Sequence, residues 1–335
     1  MKVLKWLLAA VCLLAIVYFL GPKPPKPVYI NSMPAIPDSA LQLDQYVSRI
    51  ESVHQVKDDN QARIIWFDDS VRDRTEYSVV YLHGFTASQE EGDPVHLEFA
   101  RKFGCNLYLA RLAEHGIDTT DALVNLTPEK YWESAKEALA IGEKLGQKVI
   151  LMGTSTGCTN AIQLAATYPE KVHAIMLLSP NIAINDPNAP LLNDPWGLQI
   201  ARFVKKSDYI ITADQSEMFR KYWYSKYRLE SVVALQEMLE TTMTKENFQK
   251  VRQPLLMLYY FRDAEHQDGV VKVSAMQEMF SQTGTPAGQK RSVAIPGAGD
   301  HVLGSYIKSK DLAAVKRETE NFALEILKMK PANPQ

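Results

Sequence analysis

Ser155 stands between two glycines in Gly153-Thr154-Ser155-Thr156-Gly157, a pattern that can carry a catalytic nucleophile where a strand hands over to a helix. The preceding run, Lys148-Val149-Ile150-Leu151-Met152, suits a buried parallel strand, and Cys158 to Tyr168 reads as a helix. Glycine on both sides lets so sharp a turn adopt strained dihedrals, and the first N–H groups of the helix favour developing negative charge. A serine hydroxyl is a weak nucleophile at neutral pH, so it needs a base and a third group to orient that base. Of seven histidines, His301 is best placed, in Gly297-Ala298-Gly299-Asp300-His301 after the last expected strand. His266, in another edge loop, is the reserve. His173 reads as a strand-entry residue, while His54, His96 and His115 lack a partner pattern and are expected to be solvated. Two carboxylates compete for the orienting role in the loop after Pro254 to Phe261: Asp263, two residues past the strand, and Asp268, directly before the next helix. Asp300 adjoins His301 in sequence and can seldom face that residue's own ring.

These residues need elements to bring them together. A helix is expected to about Val53, then short strands at Ala62 to Phe67 and Tyr77 to Leu82, the second ending in His83-Gly84-Phe85. A helix from Asp93 to Phe103, a strand from Asn106 to Leu112 and a helix from Pro128 to Leu145, capped by Thr127, lead to the Ser155 unit. Another strand, Ala174 to Leu178, follows. Strands separated by helices of this length imply parallel pairing with right-handed crossovers. From Asn181 to about Gln253 strand-like runs vanish and the segment reads as helical and aromatic, carrying Trp196, Phe203, Tyr209, Phe219, Tyr222, Trp223, Tyr224 and Tyr227. Such aromatics can build the insertion's own small core or roof an apolar pocket. The alternation resumes with strands at Pro254 to Phe261 and Ser292 to Ile295 and helices at Val273 to Gln282 and Ser309 to Met329.

Composition narrows the classes. A chain of 335 residues, 46% hydrophobic, can bury a large core, and 37 basic against 39 acidic residues give no field that would draw nucleic acid. Cys105 and Cys158 look like small buried hydrophobes. Near the start, Lys2 and Lys5 precede the uncharged run Trp6 to Leu20, close to the lower length limit for a membrane span. Its end, Tyr18-Phe19-Leu20-Gly21-Pro22, lacks the small-residue spacing of a cleavage site. An uncleaved anchor with a cytoplasmic N-terminus and an extracytoplasmic body is therefore expected. The proline-dense stretch after it should be a stiff spacer holding the domain off the bilayer. The expected organisation is an anchor at 1–21, a linker at 22–36, a core at 37–180 and 254–335, and a cap at 181–253.

From Tyr77 to the C-terminus the chain resembles the α/β-hydrolase fold family of serine hydrolases, in the branch of monoacylglycerol-lipase-like esterases and serine aminopeptidase-like enzymes. The resemblance rests on His83-Gly84-Phe85 after one strand, Gly153 to Gly157 after another, the chain order Ser, Asp, His, and an insertion before the strand that leads to the acid. It implies an α/β fold with a mostly parallel central sheet, helices on both faces and a helical cap. Ser155 is then the nucleophile and His301 the general base. Members often carry an Asp followed by paired valines entering a helix, which Asp268-Gly269-Val270-Val271 matches and which favours Asp268 over Asp263. Backbone N–H groups of Phe85 and Thr156 would form the oxyanion hole, with His83 bracing the loop. The four-residue insertion Ala264 to Gln267 and the trimmed start of the sheet depart from the pattern.

The expected activity is hydrolysis of apolar or lipid-derived carboxylic esters through an acyl-enzyme. An aminopeptidase would need cap carboxylates for the substrate ammonium, from Glu217, Glu230, Glu237 or Glu240, and a non-catalytic binding protein would have no use for all three triad residues. With no His-Glu-x-x-His, Cys-x-x-Cys, Walker or G-x-G-x-x-G spacing, neither a metal nor another cofactor is expected.

Overall fold

Apolar runs of three to nine residues become the strands of one sheet, and the longer amphipathic segments become helices laid over both of its faces. The computed structural model describes residues 2–332. In chain order the elements begin with helices α1 (Lys2–Phe19) and α2 (Ala40–Ser52), then β1 (Arg63–Ile65), β2 (Thr75–Leu82), α3 (Val95–Phe103), β3 (Asn106–Leu109), α4 (Pro128–Leu145), β4 (Gly146–Thr154), α5 (Thr156–Thr167) and β5 (Val172–Leu178). The insertion holds α6 (Gly197–Lys205), β6 (Tyr209–Ile211), α7 (Glu217–Tyr222), β7 (Lys226–Arg228), α8 (Leu229–Thr242) and α9 (Lys245–Lys250). The chain closes with β8 (Leu255–Tyr259), α10 (Val273–Gln282), β9 (Lys290–Ala294) and α11 (Leu312–Glu325). The seven-stranded sheet has the order β1-β3-β2-β4-β5-β8-β9. Only β1 runs antiparallel to its neighbour.

Strand alternation divides the core. Val80, Leu82, Leu151 and Leu177 point to the face covered by α4, α5 and α10, whereas Val79, Tyr81, Met152 and Met176 point to the face covered by α3 and α11. A parallel sheet buried on both sides explains why these strands read as unbroken apolar runs.

Two expectations need correction. The insertion is not purely helical, because β6 and β7 pair as an antiparallel ribbon with Ile210 opposite Tyr227. Tyr209-Ile210-Ile211 is aromatic and β-branched, and the Tyr209 ring has two cations near it, with Lys226 Nζ 4.1 Å and Arg228 Cζ 5.0 Å from its centroid. The proline segment is extended, as expected, but it lies docked on the body and does not stand off as a spacer. Trp132 Nε1 donates to Ile30 O at 2.9 Å, and Tyr168 OH to Asn31 O at 2.8 Å. Lys136, whose side chain is wholly buried, donates to Ile30 O at 2.7 Å and Ser32 O at 2.8 Å and meets Glu133 at 2.9 Å. A buried ammonium is tolerable only when so fully partnered, and the carbonyls of the segment supply most of what it needs.

Replacing Lys136 with Met should loosen this docking. Thermolysin is expected to cut within residues 22–36 faster in the variant than in the parent chain, with the core left intact. Equal cleavage rates would show that the segment is held by other contacts.

Candidate active site

The turn from β4 into α5 puts its strain on the serine. Ser155 has φ 54° and ψ −117°, a region that costs a non-glycine residue about 1–3 kcal/mol. Its amide donates to Leu178 O at 2.9 Å, and its carbonyl accepts from Asn181 N at 3.1 Å and Cys158 N at 3.0 Å. The flanking glycines serve a different need from the expected dihedral freedom, since neither has a positive φ. A Cβ on Gly157 would lie 1.9 Å from Leu82 O, and one on Gly153 2.8 Å from Gly157 C. They are glycines because α5, β4 and the end of β2 are in backbone contact.

The opposite wall comes from two loops at the same sheet edge. His301 Nδ1 donates to Asp268 Oδ2 at 2.6 Å, with the Asp268 side chain fully buried and that of His301 nearly so. The other oxygen of Asp268 accepts from Val270 N at 2.8 Å and Val271 N at 3.1 Å, so the valine amides fix the carboxylate. Residues 261–267 fold back on themselves, with Phe261 bridging Gln267 and Asp268 N reaching Tyr260 O at 3.1 Å. The four-residue insertion bulges outward and leaves Asp268 at the strand end. Asp263 instead meets the reserve histidine, His266, at 2.7 Å on an exposed loop. Asp300 accepts from Val302 N at 2.9 Å within its own loop.

Electrostatics follow from this pairing. Burial works against ionisation of Asp268, but the His301 charge, its hydrogen bond and the two valine amides outweigh it and hold the carboxyl below its ordinary range. Burial likewise works against the imidazolium of His301, yet the Asp268 charge and hydrogen bond prevail, helped by Glu91 and Asp300, and raise its pKa. With Nδ1 committed to Asp268, Nε2 is the nitrogen free to accept a proton.

The loop after β2 supplies the third wall. Neither Phe85 N nor Thr156 N has a backbone or side-chain acceptor among the described residues. His83 does brace the loop: its Nε2 accepts from Leu112 N at 3.0 Å, so Nδ1 carries the proton and donates to Gly84 O at 2.9 Å. The expectation that His96 and His115 are solvated fails, since both are wholly buried. His96 contacts Gln89 O at 2.9 Å, and His115 Nε2 accepts from Thr86 N at 3.1 Å. Burial holds His83 near 4 and drives His115 well below its ordinary value, so both are neutral braces. Glu91, also buried, accepts from Gly84 N. Sequence reasoning missed His115 and Glu91; the one available signal was that each follows a strand ending at this edge.

The insertion closes the site. Tyr224 N donates to Thr86 O at 2.8 Å, and Tyr227 meets the Phe85 ring edge to face at 5.5 Å. Phe219, Tyr222 and Trp223 pack with Ala87 and Val302, joining the insertion to the loops of Phe85 and His301. These aromatics therefore pack against the loops of Phe85 and His301 as well as on one another, and Ser155 is only 6% exposed. An apolar cleft of about 320 Å³ between the proline segment and the insertion is lined by Pro22, Pro24, Leu126, Leu192 and Val233 and contains none of Ser155, Asp268 and His301.

The sequence matches the model of the "Alpha/beta hydrolase family" over residues 79–314. The chain belongs to that family. Solved structures with the alpha/beta hydrolase fold align over most of its length. One, from work on LipS and LipT, two metagenome-derived lipolytic enzymes, is 18% identical, with a TM-score of 0.63, covering 80% of this chain and 98% of its own. Est1E from Butyrivibrio proteoclasticus, with ferulic acid bound, is 17% identical at a TM-score of 0.54, covering 80% and 95%. The monoacylglycerol lipase of Paleococcus ferrophilus is 13% identical at 0.53, covering 77% and 98%. A search of curated proteins found no match. At these identities the likeness speaks for the alpha/beta hydrolase fold alone.

Substitution of the two aspartates should separate them kinetically. Asp268→Asn is expected to lower kcat for an activated ester by about 10⁴-fold, the effect of losing the tautomer-fixing carboxylate in such a triad. Asp263→Asn should leave the rate unchanged. Because the His301 pKa is raised, the acid limb of kcat/KM in the parent enzyme should lie above the ordinary histidine value of about 6.5. A large loss confined to Asp263→Asn, or an acid limb below that value, would contradict the pairing.

Proposed function

We propose that this alpha/beta hydrolase is a serine esterase acting on apolar or lipid-derived acyl esters. The observation that carries the reading is the buried His301–Asp268 pair at 2.6 Å, at the same sheet edge as a strained serine at the start of α5 and two unpartnered N–H groups. In the proposed reaction Ser155 Oγ attacks the acyl carbon while His301 Nε2 takes the hydroxyl proton. The negative charge that develops on the carbonyl oxygen is received by Phe85 N–H and Thr156 N–H. Collapse expels the alcohol, which takes the proton from His301, and leaves the acyl group bonded to Ser155 Oγ. Water, deprotonated by the same imidazole, then attacks the acyl-enzyme and restores the serine as the acid departs. The structural neighbours that are lipolytic enzymes or a monoacylglycerol lipase accord with this chemistry.

Aminoacyl substrates fit less well. Glu230 is paired with Arg202 at 2.7 Å and Arg228 at 2.6 Å, and Glu240 accepts from Gln236 at 2.8 Å. Glu237 lines the remote cleft. The charges that act on His301 are those of Asp268, Glu91 and Asp300, none from the insertion.

The location proposed is the outer face of a membrane, on an uncleaved anchor. Helix α1 is exposed along its whole length and is the one helix among the described residues long and apolar enough to span a bilayer. Eighteen residues give about 27 Å of helix, close to a hydrocarbon thickness of about 30 Å. Its end is tied to the insertion, since Trp196 Nε1 donates to Val17 O at 3.0 Å and Trp196 N to Pro22 O at 2.8 Å. The adjoining helix α6 exposes Ile200, Phe203 and Val204 beside the basic Lys205 and Lys206. This composition suits the interfacial zone of a bilayer and supports an insertion turned toward lipid.

Turnover of a p-nitrophenyl ester series against aminoacyl anilides tests the activity. Cleavage of acyl esters with little anilide turnover is expected, and exclusive anilide cleavage would overturn it. Alkaline carbonate should leave the full chain in the membrane pellet, whereas release to the supernatant would contradict the anchor.

A further inference from the structure

Three consecutive peptide groups at the turn after β2 are each held by a different buried side chain. Glu91 Oε2 accepts the N–H of Gly84 at 2.5 Å, His83 Nδ1 donates to the carbonyl of Gly84 at 2.9 Å, and His115 Nε2 accepts the N–H of Thr86 at 3.1 Å. The N–H of Phe85, between the two held amides, is the one left without an acceptor. Because a peptide unit is planar and trans, holding the Gly84 carbonyl on one side aims the Phe85 N–H to the other. Holding the Gly84 amide fixes the plane before it. Two of the three clamps are neutral imidazoles. The third is a carboxylate, in a place where an uncharged acceptor would avoid the cost of burying charge.

Glu91 sits in the short 3₁₀ turn Gln89–Gly92 and is 2% exposed. A Cβ on Gly84 would fall 2.8 and 2.9 Å from its two oxygens and 3.0 Å from Ser155 Cβ, so the carboxylate and the serine share the space left by the missing side chain. Burial pushes its pKa up to about 7, against the Gly84 amide, the His301 charge and the indole of Trp223, which favour the ionised form, while Asp300 adds to the rise. Of the other groups that feel its charge, Tyr81 on β2, Tyr131 on α4 and Cys158 on α5 are each pushed well above their ordinary values by burial and stay neutral. Asp300 and His301, from the loop after β9, complete its charged surroundings, and the Glu91 charge in turn helps to raise the His301 pKa.

We propose that Glu91 is a positioning residue for acyl transfer: its carboxylate pins the Gly84 amide so that the free Phe85 N–H meets the oxyanion, and its charge acts on His301 across the site. This inference rests on the reading of Ser155 as the nucleophile. A carboxylate here has opposed effects. Its charge stabilises the imidazolium that forms as Ser155 reacts, and it repels the oxyanion that forms beside it, so the hydrogen bond to Gly84 and the charge are separable contributions. Glu91→Gln keeps an acceptor oxygen for Gly84 and removes the charge. Glu91→Ala removes both.

The test is the pH dependence of Ser155 labelling by a fluorophosphonate, with kcat and KM for a p-nitrophenyl ester, in the parent enzyme and both variants, each checked for folding by thermal melting. Loss of the charge removes one influence that raises the His301 pKa, so the acid limb of Glu91→Gln should move to lower pH. Glu91→Ala should lower kcat about 10- to 100-fold with little change in KM, the cost of a misplaced oxyanion donor. An acid limb of Glu91→Gln that superposes on that of the parent, or a parental kcat in folded Glu91→Ala, would overturn the proposal while leaving the esterase reading intact. If Glu91→Ala does not fold, the limb of Glu91→Gln decides alone. Absence of label on the parent enzyme would remove both readings together.

Discussion

The close approach of Gly157 to the carbonyl of Leu82 ties the start of α5 to the end of β2, and the proposed acyl-transfer site is built around that contact. With no Cβ to keep them apart, the helix N-terminus and the chain that continues into His83-Gly84-Phe85 come within backbone contact. That contact brings the start of α5, with Thr156, beside the chain that leads to Phe85. The strain on Ser155 is held by bonds to Leu178 and Asn181 at the end of β5, so neighbouring strands enforce a conformation that the turn alone would not keep. Substitution at either glycine would therefore disturb geometry before it disturbed stability elsewhere.

Much of this was legible in the sequence because it is local. The Ser155 pentapeptide, the apolar run before it and the helix after it are contiguous, and the parallel sheet followed from the alternation of such runs with helices. His301 could be placed because parallel strands end at a common edge. Asp268 was less accessible, since the residues alone left it level with Asp263 and only the resemblance separated them. The structure adds the physical reason, two valine amides on one oxygen and a loop insertion that closes on itself.

What was not legible depends on residues distant in sequence. His115 and Glu91 lie 29 and seven residues from the amides they hold, and beyond following strands that end at this edge they carry no mark of partners to the loop after β2. The proline segment carries the composition of a free spacer, yet its carbonyls satisfy a lysine more than a hundred positions away. Likewise the β6–β7 ribbon is three residues per strand, too short to stand out from an aromatic-rich stretch whose periodicity is broken by loops. In each case tertiary pairing overrode local pattern.

The insertion links the two ends of this picture. It meets the end of helix α1 through Trp196, and the loop after β2 and the Glu91 side chain through Tyr224, Tyr227 and Trp223. The most direct measurement is the structure of the full chain after reaction with a fluorophosphonate. A single adduct on Ser155, with its phosphoryl oxygen within about 3 Å of both Phe85 N and Thr156 N, is the expected result. An unmodified Ser155, or an adduct whose oxygen faces away from those two amides, would contradict the proposed acyl-transfer site.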